Sequence, residues 1–132
     1  MLNRRDVVKK IQSALTAHLF ISGLGSPSYD LHAAGDNPKN FYLWGAMGGA
    51  AMMGLGLAMA RPDQKIAVLT GDGEQLMGLG ALATIGVAKP QNLAVIVLDN
   101  GHFGETGMQQ SHTSQGVDPV SYTHLTLPTR LM

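Results

Sequence analysis

Two aliphatic runs, Lys65-Ile66-Ala67-Val68-Leu69-Thr70 and Leu93-Ala94-Val95-Ile96-Val97-Leu98, constrain this chain more than any other feature. Both are too short for free-standing helices, and their near-continuous aliphatic character marks strands buried on both faces of a parallel sheet. The first runs into Gly71-Asp72-Gly73-Glu74 and the second into Asp99-Asn100-Gly101-His102. Open parallel sheets bind ligands in the crevice beyond the carboxyl ends of their strands. Two strand ends there offer a carboxylate, an amide oxygen and backbone exposed by glycine. Such a set suits a hard cation such as magnesium, which also takes phosphates and waters.

The remaining pattern alternates helix and strand. Helices are predicted over about 4–17, 27–33, 47–60 and 75–87, and strands over 19–23, 41–44, 65–70 and 93–99, followed by an irregular loop. Asn37-Pro38, Arg61-Pro62-Asp63 and Lys89-Pro90-Gln91-Asn92 punctuate them as turns. Alternation of this kind implies an α/β fold, a doubly wound parallel sheet with right-handed crossovers. A sheet ending at its fourth strand leaves an open hydrophobic edge, so the fold is expected to be truncated at the C-terminus.

Composition narrows the function classes. The 132 residues are 45% hydrophobic, enough for one core, and carry nine basic and nine acidic side chains. Nucleic-acid binding would require clustered positive charge, and none is present. The absence of cysteine excludes disulfides and thiolate metal sites and fits a cytoplasmic protein. Few charges and 17 glycines suggest that much surface is covered by another subunit. The uncharged stretch from Phe41 to Ala60 approaches a bilayer span in length, but its five glycines from Gly45 to Gly56 favour a helix packed closely on a sheet. Near the start, Val7, Val8, Ile11, Ala14 and Leu15 share one helical face, which makes an amphipathic helix rather than a signal peptide.

Asp72 is the informative residue of the first strand end. A dinucleotide loop would place a third glycine at position 76, which is Leu76, and a bare carboxylate would repel phosphate. A divalent cation between them reverses that charge logic. The Gly-Asp-Gly turn, the spacer and Asn100 resemble the cofactor signature of thiamine-diphosphate enzymes. Phe41-Tyr42-Leu43-Trp44-Gly45-Ala46-Met47-Gly48, Gly78 to Gly86 and Gly104-Glu105-Thr106-Gly107-Met108-Gln109 are similar to one branch, the sulfopyruvate and phosphonopyruvate decarboxylases. Gly23-Leu24-Gly25-Ser26-Pro27-Ser28 and Asn37 to Tyr42 resemble the start of the separate β subunit of the former.

The resemblance implies a site, residue by residue. Asp72, the Asn100 side chain and the His102 carbonyl would hold magnesium. Gly25, Ser26, Gly73 and Glu74 would offer backbone amides to the diphosphate, with Gly71, Phe103 and Thr106 also at the cofactor. The Gly45 carbonyl and Ala46 would face the aminopyrimidine, and Met47 would wedge beneath the bent cofactor. His112 could contact substrate, while Asp99 is read as a supporting or capping residue. His18 and His32 are read as structural.

A glutamate on a separate pyrimidine-binding domain activates the cofactor in this family. Only Glu74 and Glu105 are present here, both in the diphosphate half. The resemblance therefore implies a heteromer whose α-type partner supplies that glutamate, acting on a small 2-oxo acid and inactive without the partner. An acetolactate-synthase-like carboligase subunit and a non-catalytic module of the same fold are the competing readings; a nicotinamide-binding domain is more distant. The domain is placed at residues 1–119. Val120-Ser121-Tyr122-Thr123-His124-Leu125-Thr126-Leu127-Pro128-Thr129 resembles a translated sequencing adapter, so 120–132 is read as a non-native tail.

Overall fold

The computed structural model describes residues 2–123. Most of the adapter-like tail, from His124 onward, lies outside the described residues. In chain order the elements are α1 (Arg4–Ala14), β1 (His18–Ser22), α2 (Ser26–Ala34), β2 (Asn40–Tyr42), α3 (Ala50–Ala60) and β3 (Lys65–Gly71). There follow α4 (Asp72–Met77), α5 (Gly80–Ala88), β4 (Leu93–Leu98), β5 (His102–Phe103), β6 (Gln109–Gln110), a 3-10 turn (His112–Gln115) and α6 (Pro119–Thr123). Strands β1 to β4 form one parallel sheet in the order β2-β1-β3-β4, with Phe20 opposite Ala67 and Val68 opposite Val95. This is the expected doubly wound α/β architecture.

Side-chain alternation along the strands explains the layering, because successive residues point to opposite faces. Ile66, Val68, Leu93 and Val95 meet Ala51, Leu55 and Ala58 of α3 and Leu82 and Ile85 of α5. Ala67, Leu69, Phe20 and Ile96 meet Val8 of α1 and Leu31 of α2 on the other face. Helix α1 begins at Asn3, whose side chain accepts from the backbone N–H groups of Arg5 (3.0 Å) and Asp6 (3.4 Å). It is tied to α2 through Asp30, a fully buried carboxylate that accepts from Arg4 Nε and Nη2 and from Arg5 Nε.

The observed boundaries depart from expectation where glycine controls the backbone. Helix α3 starts at Ala50 rather than at 47, because Gly45 (φ 87°) and Gly48 (φ 90°) take left-handed conformations that an α-helix cannot include. The segment expected as one helix over 75–87 is two, α4 and α5, broken at Gly78 and Leu79. There a Cβ on Gly78 would lie 2.1 Å from the Gly48 carbonyl oxygen, so the break lets two loops touch backbone to backbone. The loop expected after β4 contains an antiparallel hairpin, with His102 opposite Gln110 and Phe103 opposite Gln109. None of the described helices is long and apolar enough to cross a membrane.

Candidate cofactor and cation site

The strand order reverses between β1 and β3: β2 is added on one side of β1, and the next crossover carries the chain to the other. Crevices form at such switch points, outside the carboxyl ends of the strands. An open cavity of about 1290 Å³ lies there. Its wall includes Ser26 after β1, Gly71, Asp72, Gly73 and Glu74 after β3, and Asn100, His102, Phe103 and Thr106 after β4, together with Met47 and His112. Most residues singled out from sequence thus share one wall. Gly25, Gly45 and Ala46 do not line it: Gly25 is the N-cap of α2 with φ 79°, and Gly45 and Ala46 are exposed on the loop before α3.

Asp72 opens α4 and is 2% exposed. Its Oδ2 accepts from the Ser111 hydroxyl, and Thr113 Oγ1 lies 3.2 Å from the same oxygen. Among the described residues Oδ1 accepts no hydrogen bond. Thr113 Oγ1 also lies 2.8 Å from Asp99 Oδ1, which takes the Gly101 N–H at 2.9 Å. Asp99 therefore caps the turn after β4 while facing the same hydroxyl as Asp72. Asn100 Oδ1 accepts the His102 N–H at 3.1 Å, and His102 Nδ1 lies 2.8 Å from the Asn100 carbonyl. These short-range bonds, with Gly101 at φ 68°, fold Asp99 to His102 into a tight turn that presents oxygen atoms.

Glu74 does different work from that expected of its backbone amide. Its side chain passes under the wall, accepts from Thr70 Oγ1, and fills the space against Gly23, where a Cβ would lie 1.5 Å from Glu74 Oε2. Burial raises its pKa above the ordinary glutamate range, opposed by the Thr70 hydroxyl and by amides of Ala50, Gly48 and Leu24. Oε1 is buried without a hydrogen-bond partner among the described residues, as are both polar atoms of the Gln75 side chain. The carboxyl is therefore bonded to Thr70 of β3 and packed against Gly23 after β1.

Ser26 sits at the start of α2, whose N-cap is glycine and offers no side-chain acceptor; Pro27 carries no N–H and the Ser28 N–H bonds the Gly25 carbonyl at 3.0 Å, so the Ser26 amide is the one left there for an anion. Gly73 is held close: a Cβ there would lie 2.3 Å from the Phe103 ring. Met47 is 37% exposed beside the cavity, and His112 is an exposed residue at the start of the 3-10 turn. Sequence reading missed Ser111 and Thr113. Serine and threonine lack a distinctive spacing, and the one hint was that these two flank His112.

No group of three His, Cys, Asp or Glu side chains that could hold a metal ion occurs among the described residues. A cation here would instead use one carboxylate plus neutral oxygens, and Asp72, Asn100 and His102, which carry such oxygens, all line the cavity. The Ser26 amide nearby suits phosphate, so the residues present fit a diphosphate bound through magnesium. Fold and site together define a parallel α/β domain with a candidate ligand crevice at the carboxyl ends of its strands.

Comparison with known proteins names the class. Residues 26–129 match the family model of the thiamine pyrophosphate enzyme, C-terminal TPP binding domain, and the chain belongs to that family. It is 40% identical over 116 residues to sulfopyruvate decarboxylase subunit beta of Methanocaldococcus jannaschii, covering 87% of this chain and 61% of that protein. The same subunit from Methanothermobacter thermautotrophicus is 41% identical over 109 residues, covering 83% and 58%. Phosphonopyruvate decarboxylase of Streptomyces viridochromogenes is 45% identical over 94 residues, covering 71% of this chain and 23% of that enzyme. The chain thus spans about 60% of the length of the β subunits it matches.

Proposed function

We propose that this chain is the diphosphate- and magnesium-binding part of a thiamine-diphosphate-dependent 2-oxo acid decarboxylase of the sulfopyruvate or phosphonopyruvate type, acting with a partner subunit in the cytoplasm. The observation that carries the reading is the meeting of Asp72, Asn100 and His102 on one cavity wall with the uncapped start of α2. In this reading Asp72, the Asn100 amide oxygen and the His102 carbonyl hold magnesium. Amides at Ser26, Gly73 and Glu74 take the diphosphate, aided by the positive end of α2. Met47 and Phe103 give the cavity apolar walls, and Met47 supports the cofactor from below. Bound thiamine diphosphate supplies the electron sink that lets a 2-oxo acid lose carbon dioxide.

The partner follows from the two glutamates. Glu74 is committed to Thr70 beneath the wall, and Glu105 is an exposed residue at the cavity mouth. Neither is free on an opposing surface, so the carboxylate that activates the cofactor comes from the partner, and the chain alone is inactive. Half-exposed Phe41 of the edge strand β2 and Trp44 just after it, the latter edge-to-face with Tyr29 at 5.4 Å, offer apolar surface for such a partner. The test is thermal protection of the full-length protein, co-expressed with its genomic neighbour, by thiamine diphosphate with magnesium. Protection should vanish in Asp72→Ala, together with decarboxylation of sulfopyruvate or phosphonopyruvate. A folded Asp72→Ala assembly that is still protected would refute the cation assignment.

A further inference from the structure

We propose that Ser111 and Thr113 are positioning residues that hold the Asp72 carboxylate so that only one of its oxygens faces the cavity. The proposal rests on the reading of Asp72 as a cation ligand and assigns how that ligand is held. Ser111 is fully buried 39 residues along the chain from Asp72, and its hydroxyl donates to Asp72 Oδ2. Thr113 Oγ1 stands 3.2 Å from that oxygen and 2.9 Å from Ser111 Oγ. Two hydroxyls therefore converge on Oδ2, while Oδ1 takes no hydrogen bond among the described residues, although Asp72 belongs to the cavity wall.

The clamp is itself fastened to the other half of the site. The Ser111 N–H donates to the Gly101 carbonyl at 2.7 Å, and the Ser114 hydroxyl donates to the same oxygen at 2.5 Å. Gly101 lies inside the Asp99–His102 turn. Thr113 has one hydroxyl proton and two carboxylates in reach, Asp99 at 2.8 Å and Asp72 at 3.2 Å. Residues 111–114 thus set the spacing between the two strand ends that supply the oxygens, and the threonine hydroxyl separates two like charges. Neither hydroxyl is read as a ligand.

A carboxylate with one oxygen held by buried hydroxyls is set to bind a cation through the other. Magnesium, small and octahedral, uses single carboxylate oxygens and leaves positions for phosphates and waters, whereas calcium accepts two-oxygen binding from a freely turning carboxylate. Residues that orient a ligand carboxylate typically change metal affinity by about 10- to 100-fold when removed. Loss of the clamp should therefore weaken small-cation binding and reduce the preference for it over calcium.

The experiment titrates manganese, read by its electron paramagnetic resonance signal, into the full assembly with thiamine diphosphate, and repeats this with calcium as competitor. The variants are Thr113→Val, which keeps the shape, Thr113→Ser, which keeps the hydroxyl, and Ser111→Ala. Thr113→Val should weaken manganese about tenfold or more and favour calcium, with Thr113→Ser near the parent. Unchanged affinity in Thr113→Val, or equal losses in Thr113→Val and Thr113→Ser, would overturn the clamp while Asp72→Ala still abolishes binding. Manganese binding that survives Asp72→Ala would overturn the ligand reading and the clamp with it.

Discussion

Helix α3 carries two glycines that the sequence does not distinguish, and the structure predicts opposite consequences for replacing them. Gly54 is buried against the sheet, where a Cβ would lie 2.2 Å from Val68 Cγ2 and 3.2 Å from Leu93 Cδ1. Carbon atoms rest at about 3.5–4.0 Å, so the helix would have to retreat by roughly an ångström or Val68 would have to turn. Neither is easy, because Ala51, Leu55 and Ala58 press the same face and Val68 is a stiff, fully buried β-branched residue. Overpacking of this kind costs about 1–3 kcal/mol. Against it, alanine in place of a mid-helix glycine contributes about 1 kcal/mol. The clash outweighs the gain, and Gly54→Ala should be destabilising by up to about 2 kcal/mol. Gly56 has nothing within 4 Å of a built Cβ, so Gly56→Ala should keep the whole gain of about 1 kcal/mol.

The assay is urea unfolding of both variants and of Gly54→Ala/Val68→Ala, which removes the clashing methyl group. The double variant should lose less than the sum of its parts, by about 1 kcal/mol, since the two changes relieve one contact. In melting temperature the single variants should diverge in sign by several degrees, on the scale of about 3–5 °C per kcal/mol for a domain of this size. Gly54→Ala as stable as Gly56→Ala, or strict additivity in the double variant, would refute the close-packing argument.

Two further outcomes are expected. Asn92 Nδ2 donates to the carbonyls of Ala58, Arg61 and Gln64 at 3.0, 3.1 and 2.8 Å, tying the end of α3 to the start of β4; Asn92→Asp puts an acceptor against three acceptors and should cost about 2–4 kcal/mol by urea midpoint, more than Asn92→Ser. Burial of the His18 ring, whose Nδ1 has no hydrogen-bond partner among the described residues, holds its pKa below the ordinary value, and the Lys65 ammonium adds to the effect. The unfolded chain then protonates first as pH falls, so this contribution to stability is complete above about pH 6.5 and is lost on acidification until the folded pKa is passed. His18→Phe should shrink the difference between urea midpoints at pH 7.5 and 5.5, and an unchanged difference would refute the assignment.

What the sequence determined by itself was the part governed by neighbours along the chain. Short aliphatic runs rich in β-branched residues and bounded by turns read as strands covered on both faces, so Ile66 to Leu69 and Leu93 to Val97 announced a parallel sheet. Because parallel sheets bind ligands at their carboxyl ends, Asp72 and Asn100 were legible as neighbours at the ends of two adjacent strands that line one cavity. Tertiary structure decided whatever depends on what lies opposite a residue. Gly78 breaks a helix because the Gly48 carbonyl occupies the place of its side chain, and Gly54 differs from Gly56 because Val68 lies beneath one of them. Glu74 turned out to be a strut under the cavity, since Gly23 leaves room for its carboxyl and burial leaves Thr70 as its partner. Ser111 and Thr113 reach Asp72 only because the hairpin of β5 and β6 folds the chain back over α4. Periodicity along a chain reports which face of an element is apolar, but contacts between elements are set by packing, which local sequence does not encode.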